Sequence, residues 1–206
     1  RGSAGTVYRE HKGQAPGHGV LIVNNNGNTT EAFSTTLIRP QVQDTAVGTV
    51  IVTNAGKLTI TNQTLTIRGD LDNQATFRGD ADSTVVFAGT NAATIYGDCT
   101  FYHVTSTNLN VTQQSEARPL YFQEGRTSTV HGVLTLTGVK VDSIGGVAQW
   151  RLLANPAMTH SVSNVWAGRS DASSPGAPIT AYDSTDLGGN DNWTFPKSGP
   201  TVNRWL

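Results

Sequence analysis

The chain is poor in the features that usually fix a fold or a compartment. It holds one cysteine, Cys99, in 206 residues, so no intrachain disulfide can staple it, and a lone cysteine assigns no redox compartment. Charged residues make up 14% of the chain, well below the usual ~25%. The 14 basic and 15 acidic side chains leave a net charge of -1, with no run of either sign. No basic stripe is available to neutralise phosphates, which argues against a nucleic-acid partner. No apolar stretch approaches the ~18–20 residues that cross a bilayer, so no membrane span is expected. Lys and Glu, the common helix formers of surfaces, occur four times each. The chain starts at Arg1 without Met or a signal peptide, as a secreted protein stripped of its leader or an excised fragment would.

What is abundant points one way. Thr occurs 29 times, Gly 22, Val 19 and Asn 15. Thr and Val are stiff at χ1, which disfavours helix and suits a pleated surface. Gly and Asn accept left-handed turn conformations. Together these give an all-β chain with many turns. Strand candidates of three to seven residues recur at 6–8, 20–23, 36–38, 49–53, 58–61, 65–67, 75–77, 84–87 and 94–96. They continue at 100–104, 109–111, 120–122, 133–137, 139–141, 148–153, 160–166, 179–182 and 193–195. In Leu58-Thr59-Ile60-Thr61 and Val133-Leu134-Thr135-Leu136-Thr137, apolar and hydroxyl-bearing side chains alternate with the period of a strand.

Strands this short and this frequent fit a sandwich or a solenoid. A sandwich needs tight hairpin turns, and only Asn26-Gly27 is of that type. Most breaks are brief polar corners such as Asn54-Ala55-Gly56, Gly69-Asp70, Gly79-Asp80 and Gly97-Asp98. Corners of this kind bend a chain without reversing it. Three strands per coil of roughly 20–27 residues give a right-handed parallel β-helix, with a β-sandwich as the alternative. Val, Ile, Leu and Phe would then point inward in ladders and Thr outward. Residues 1–195 are read as one solenoid domain, and 196–206 as an extended tail.

From Leu65 to Leu109 the chain carries Asn73, Thr76-Phe77, Val85-Val86-Phe87, Gly89, Ile95, Gly97 and Thr100-Phe101-Tyr102. That spacing resembles the strand-and-turn pattern of large secreted bacterial parallel β-helix proteins of the adhesin-like kind. Pro119-Leu120-Tyr121-Phe122 through Gly132–Gly138 is similar to a later coil of the same group, and 162–195 to its closing module. Gly5-Thr6-Val7-Tyr8 and 19–25 fit its opening coils more loosely. Val104 and Cys99 depart from the pattern, which elsewhere favours Leu and Thr or Ser. The resemblance implies a fold and a secreted, cell-surface setting in a bacterium. It carries no chemistry.

Candidate sites are few. Asp70, Asp80 and Asp98 follow turn glycines, with Asp72 and Asp82 two residues on. If coils stacked these corners, their carboxylates could meet around Ca²⁺ or act on a sugar, but turn formation explains Asp here on its own. Arg68-Gly69-Asp70 and Arg78-Gly79-Asp80 repeat an integrin-type tripeptide at what look like equivalent corners, a coincidence of strand-ending Arg and Gly-Asp turns. His11, His18, His103, His131 and His160 show no metal spacing. Cys99 has no CxxC partner and reads as a buried filler. No nucleophile elbow or phosphate loop occurs, so we expect no enzyme, no metal and no cofactor. Trp150, Trp166, Trp193 and Trp205, with Tyr121 and Tyr182, are candidate sugar platforms. The plainer expectation is that Trp150, Trp166 and Trp193 plug the C-terminal end of the core.

A solenoid leaves an unpaired edge at each end, and such edges recruit other strands. The sequence therefore points to a secreted structural protein, a subunit of a filament, surface layer or adhesin stalk that associates with itself end to end. The contact residues expected are Thr6, Val7 and Tyr8 at one end and Val202, Trp205 and Leu206 at the other. The alternative is a β-helix that binds or cleaves polysaccharide, with a surface glycan as partner.

Overall fold

The computed structural model describes residues 5–29, 35–109, 111–173 and 176–198. It is a parallel β-solenoid of about seven turns, with no α-helix among the described residues. Three sheets wrap one core. The nine-stranded sheet runs Gly5–Arg9, Val20–Asn24, Thr49–Thr53, Leu71–Asn73, Ala93–Tyr96, Arg118–Phe122, Val139–Ser143, Trp166–Ala167 and Thr185–Asp186. The seven-stranded sheet runs Thr35–Ile38, Lys57–Ile60, Thr76–Gly79, Cys99–Phe101, Thr127–Val130, Trp150–Ala154 and Ser170–Asp171. The eight-stranded sheet runs Ala46–Val47, Thr64–Ile67, Thr84–Phe87, His103–Thr107, Val133–Thr137, Thr159–Ser163, Ile179–Tyr182 and Trp193–Thr194. The chain visits the sheets in that order and climbs one coil per circuit.

Alternation sends every second side chain inward, and the parallel register stacks like on like. Leu21, Val50, Leu71, Ile95 and Phe122 form one ladder. Leu65, Val85, Val104 and Leu134 form a second. Leu58, Phe77, Cys99, Ser128 and Leu152 form a third. Aromatic rings fill the middle coils: Phe77 lies 5.5 Å from Phe101, and Phe122 stacks on Trp150 at 3.8 Å with 7° between planes. Each buried Leu, Ile, Val or Phe contributes about 1.5–3 kcal/mol of transfer free energy, so stability grows coil by coil from the interface each shares with the next.

The coil length is uneven. Paired residues in the nine-stranded sheet differ by 29 (Leu21 and Val50), 21 (Val50 and Leu71), 24 (Leu71 and Ile95), 21 again (Leu120 and Val141) and finally 19 (Ala167 and Asp186). The core therefore keeps its register while the corners absorb the difference. Some corners are as tight as one residue. Gly138 joins the eight- to the nine-stranded sheet at φ +62°, and a Cβ there would lie 1.9 Å from the Asn108 carbonyl oxygen. Gly97, at φ +75°, would place a Cβ 1.8 Å from the Asn73 carbonyl oxygen. Neither place can hold a side chain.

One excursion leaves the stack. After Thr107 the chain loops out, makes a 3₁₀ turn at Gln114–Glu116 and re-enters at Arg118. Val111 and Ala117 of this loop pack on Trp166 and Leu187 outside the nine-stranded sheet. The Asn164 side chain donates to the Val111 carbonyl at 2.6 Å and holds the loop down.

Candidate functional site

The first strand departs from the rest. Gly5–Arg9 pairs antiparallel with Val20–Asn24, Gly5 opposite Asn24 and Arg9 opposite Val20, whereas the coils pair in parallel. Thr6 and Tyr8 stand opposite the buried Val23 and Leu21 and so face the open mouth of the core. Val7 faces out. The Thr6 hydroxyl meets that of Thr36 at 2.6 Å across the mouth. The Tyr8 hydroxyl donates to Glu10 Oε1 at 2.8 Å and accepts the Gly19 amide at 3.1 Å. Loss of solvent first, and the Glu10 carboxylate second, hold the Tyr8 phenol above its ordinary pKa. An apolar recess of about 340 Å³ opens there, lined among others by Thr6, Tyr8, Leu37, Ile38, Val42 and Val47.

This end concentrates exposed apolar side chains. Val7 and Tyr8 are each 43% exposed, and Leu37 and Val42 are close to that. The reversed strand covers the nine-stranded sheet only. The strands Thr35–Ile38 and Ala46–Val47 close their own sheets with nothing paired beyond them among the described residues. Leu37 and Val42 belong to this surface, and sequence reasoning missed them: one sits in a strand expected to be half-buried, the other in a corner.

At the opposite end Trp193 and Phe195 pack against the core, their rings 6.1 Å apart and nearly parallel. Trp193 Nε1 donates to Ser170 Oγ at 3.1 Å. The segment expected as a tail begins docked: the Asp183 amide donates to the Pro196 carbonyl at 3.0 Å, and the Ser198 amide to Asp183 Oδ1 at 2.8 Å. The Ser198 hydroxyl first, and the Ser198 amide second, hold the Asp183 carboxyl below its usual range. Val202, Trp205 and Leu206 lie outside the described residues.

The remaining candidates are placed one by one, and several are absorbed by structure. Asp70 accepts the Thr94 amide and Asp98 the Thr127 amide, each at 2.7 Å, while Asp80 pairs with Arg78 Nε at 2.6 Å. These three carboxylates sit at three different corners of the coil and do not stack. No group of three metal-ligating side chains gathers among the described residues. The two Arg-Gly-Asp copies are not equivalent, contrary to the sequence expectation. Arg68 follows a strand of the eight-stranded sheet, whereas Arg78 and Gly79 lie within a strand of the seven-stranded sheet. Ten residues carry the chain only part of the way around a coil.

Histidines serve the backbone. His103 Nδ1 accepts the Val133 amide and His160 Nε2 the Thr180 amide, each at 2.9 Å, in both cases from the next coil. Cys99 is buried in its ladder, and burial pushes its thiol up to about 12. The tryptophans divide. Trp150 lies inside the core at 2% exposure, and Trp166 is buried on the outside under the 108–117 loop, so neither can stack on a sugar or plug the end. Trp193 alone of the three packs at the C-terminal end. Tyr182 is exposed.

A polar recess of about 480 Å³ opens where the nine-stranded sheet turns into the seven-stranded one. Asp72, Gln74, Tyr96, Asp98, Gln123 and Arg126 line it. It exists because the corners at Asn73 and Gly97 are shorter than the one that follows Phe122. No family model, no curated protein and no solved structure matches the chain.

Proposed function

We propose that the chain is a structural β-solenoid of a secreted cell-surface protein, in a filament, layer or adhesin stalk, joined to its neighbours end to end. The observation that carries this reading is the N-terminal end: among the described residues two sheets stop at unpaired edges around an apolar recess, with Val7, Tyr8, Leu37 and Val42 exposed beside it. Bare strand edges with apolar flanks are what soluble monomers avoid. A head-to-tail contact is heterologous and need not close, which is the geometry of fibres. Because the reversed strand occupies the third edge, the contact runs through the edges at Thr35–Ile38 and Ala46–Val47, with Thr6, Val7 and Tyr8 at the rim. Low charge, abundant Thr and Asn, and the resemblance to secreted bacterial β-helix proteins support the setting. The role involves no catalytic step.

Electron microscopy and sedimentation of the purified chain test it. Polymers should form and should disappear in a Val7→Asp, Leu37→Asp double variant or behind a bulky tag placed after Leu206. Monomers at every concentration, or polymers indifferent to these changes, would sink the reading. The polar recess beside Tyr96 favours one second reading, a glycan-binding β-helix. A glycan panel with and without Ca²⁺, repeated on Asp98→Ala, separates the two.

A further inference from the structure

Hydroxyl-bearing side chains predominate on the outer face of the eight-stranded sheet. Its central row along the solenoid axis, in register from coil to coil, is Thr66, Val86, Thr105, Thr135 and Ser161. The row on one side is Thr64, Thr84, His103, Val133 and Thr159. Thr107, Thr137 and Ser163 stand in the row on the other. No Asp, Glu, Lys or Arg occupies an outward position of the five strands that span these rows. The other two faces differ: outward positions hold Lys57, Arg78 and Arg151 on the seven-stranded sheet, and Asp72, Tyr121 and Lys140 on the nine-stranded one. A general preference of strands for Thr would enrich all three faces alike. It does not clear charge from one.

The geometry of this face is fixed by the backbone. Adjacent coils lie about 4.8 Å apart, and alternate residues along a strand about 6.6 Å apart. Three rows over five coils thus make a plate about 13 Å wide and about 19 Å long. Each Thr offers a hydroxyl that donates one bond and accepts two, beside a methyl that restricts the water next to it. Its χ1 is stiff, and the inward ladder Leu65, Val85, Val104 and Leu134 anchors the first four rungs from behind, with His160 next in line at the fifth. The hydroxyls of Thr66, Thr105, Thr135 and Thr137 have no protein partner among the described residues. Charged groups would impose hydration shells of their own; the strand positions of these rows hold no Asp, Glu, Lys or Arg, and Arg68, which follows Ile67, stands beyond the strand at one corner. Aromatic rings, which would favour a sugar, are missing from the interior of the plate.

We propose that this face binds ice, holding a layer of water whose repeats match those of the crystal surface. The repeats set by strand spacing and by residue alternation are both of the size of the hexagonal ice lattice. The inference rests on the fold and does not depend on end-to-end assembly.

The test is the 206-residue chain in a freezing-point osmometer, together with partition into a growing ice hemisphere. The expected result is faceted crystals, a gap between melting and freezing points, and enrichment in the ice. Thr105→Lys and Thr135→Lys should each abolish all three, while Thr100→Lys on the seven-stranded face should leave them intact. Melting temperatures within a few degrees of the parent show that the variants are folded. Round crystals with the parent protein, or equal activity in all variants, would overturn the proposal. So would retention on insoluble cellulose or chitin that is lost in Thr135→Lys while ice is ignored, which would make the plate a polysaccharide-binding face.

Discussion

Where the chain leaves the stack after Thr107, the coil below loses the backbone that would have covered it. The Arg118 guanidinium takes that place. It is buried and donates to the carbonyls of Phe87 and Gly89 and to the Ser106 hydroxyl, with no carboxylate paired to it among the described residues. A side chain here substitutes for missing amides. Arg118→Met should orphan all three acceptors, each at about 1–3 kcal/mol, partly offset by the relief of a buried charge. We expect a net loss of about 3 kcal/mol in urea unfolding on that basis, with Arg118→Lys intermediate. His160 makes a different prediction. Burial holds its pKa below the ordinary value, and its Nε2 needs to be unprotonated to accept the Thr180 amide. The unfolded chain therefore binds the proton more readily, so stability is complete above about pH 6.5 and falls as the solution is acidified. The difference in melting temperature between pH 8 and pH 5 should shrink in His160→Gln. Cys99 should stay unmodified by iodoacetamide at pH 8 until the chain unfolds, since its thiol is both buried and held protonated. That thiol was legible as a filler from sequence. Arg118 was not, because an arginine beside a proline gives no sign of pointing inward.

Among elements, the strands that could be read were those with alternating apolar residues, and their ladders lie where the alternation put them. Leu58, Ile60, Leu134 and Leu136 point inward and Thr59, Thr135 and Thr137 outward as expected, whereas Val133 takes an outward position. The strands Ala46–Val47, Leu71–Asn73, Thr127–Val130, Ser170–Asp171 and Thr185–Asp186 escaped, being two to four residues long and, all but the first, rich in polar side chains. Such segments are strands because neighbours on both sides pair with them, a cause that lies in other coils. The expected strand at 100–104 is two strands of different sheets, divided at Tyr102. One residue is enough to turn the corner, and an apolar run hides it. Leu109 and Val111 of the expected strand at 109–111 lie instead in the outward loop, with Leu109 exposed. The reversal of Gly5–Arg9 left no trace in the sequence, because alternation reads the same in either direction. Corners make the element-scale prediction. Gly138→Ala meets both an unfavourable φ and a carbonyl at 1.9 Å, and should cost more than the about 1 kcal/mol of an ordinary left-handed Ala, measured by thermal unfolding. Gly125, also at positive φ but with open space around it, should cost about that figure when changed to Ala.

At the scale of the molecule, the sheets pair each coil with the one above and the one below, and apart from the outward loop, whose Val111 and Ala117 reach across to Trp166 and Leu187, cooperation is passed along a single line. The last two circuits are the weakest part of that line. Their strands Trp166–Ala167, Ser170–Asp171, Thr185–Asp186 and Trp193–Thr194 are two residues each, against four or five for most strands in the middle coils. Hydrogen exchange should therefore be slowest at Leu65, Val85, Val104 and Leu134 and fastest at Ala167 and Thr185; uniform protection would contradict this. The linear coupling also has a mechanical meaning. Tension applied to the C-terminal end would peel the chain away one circuit at a time, each release lengthening the molecule by some two dozen residues before the next must yield. A thread that gives way in small instalments dissipates a tug that would snap a rigid joint.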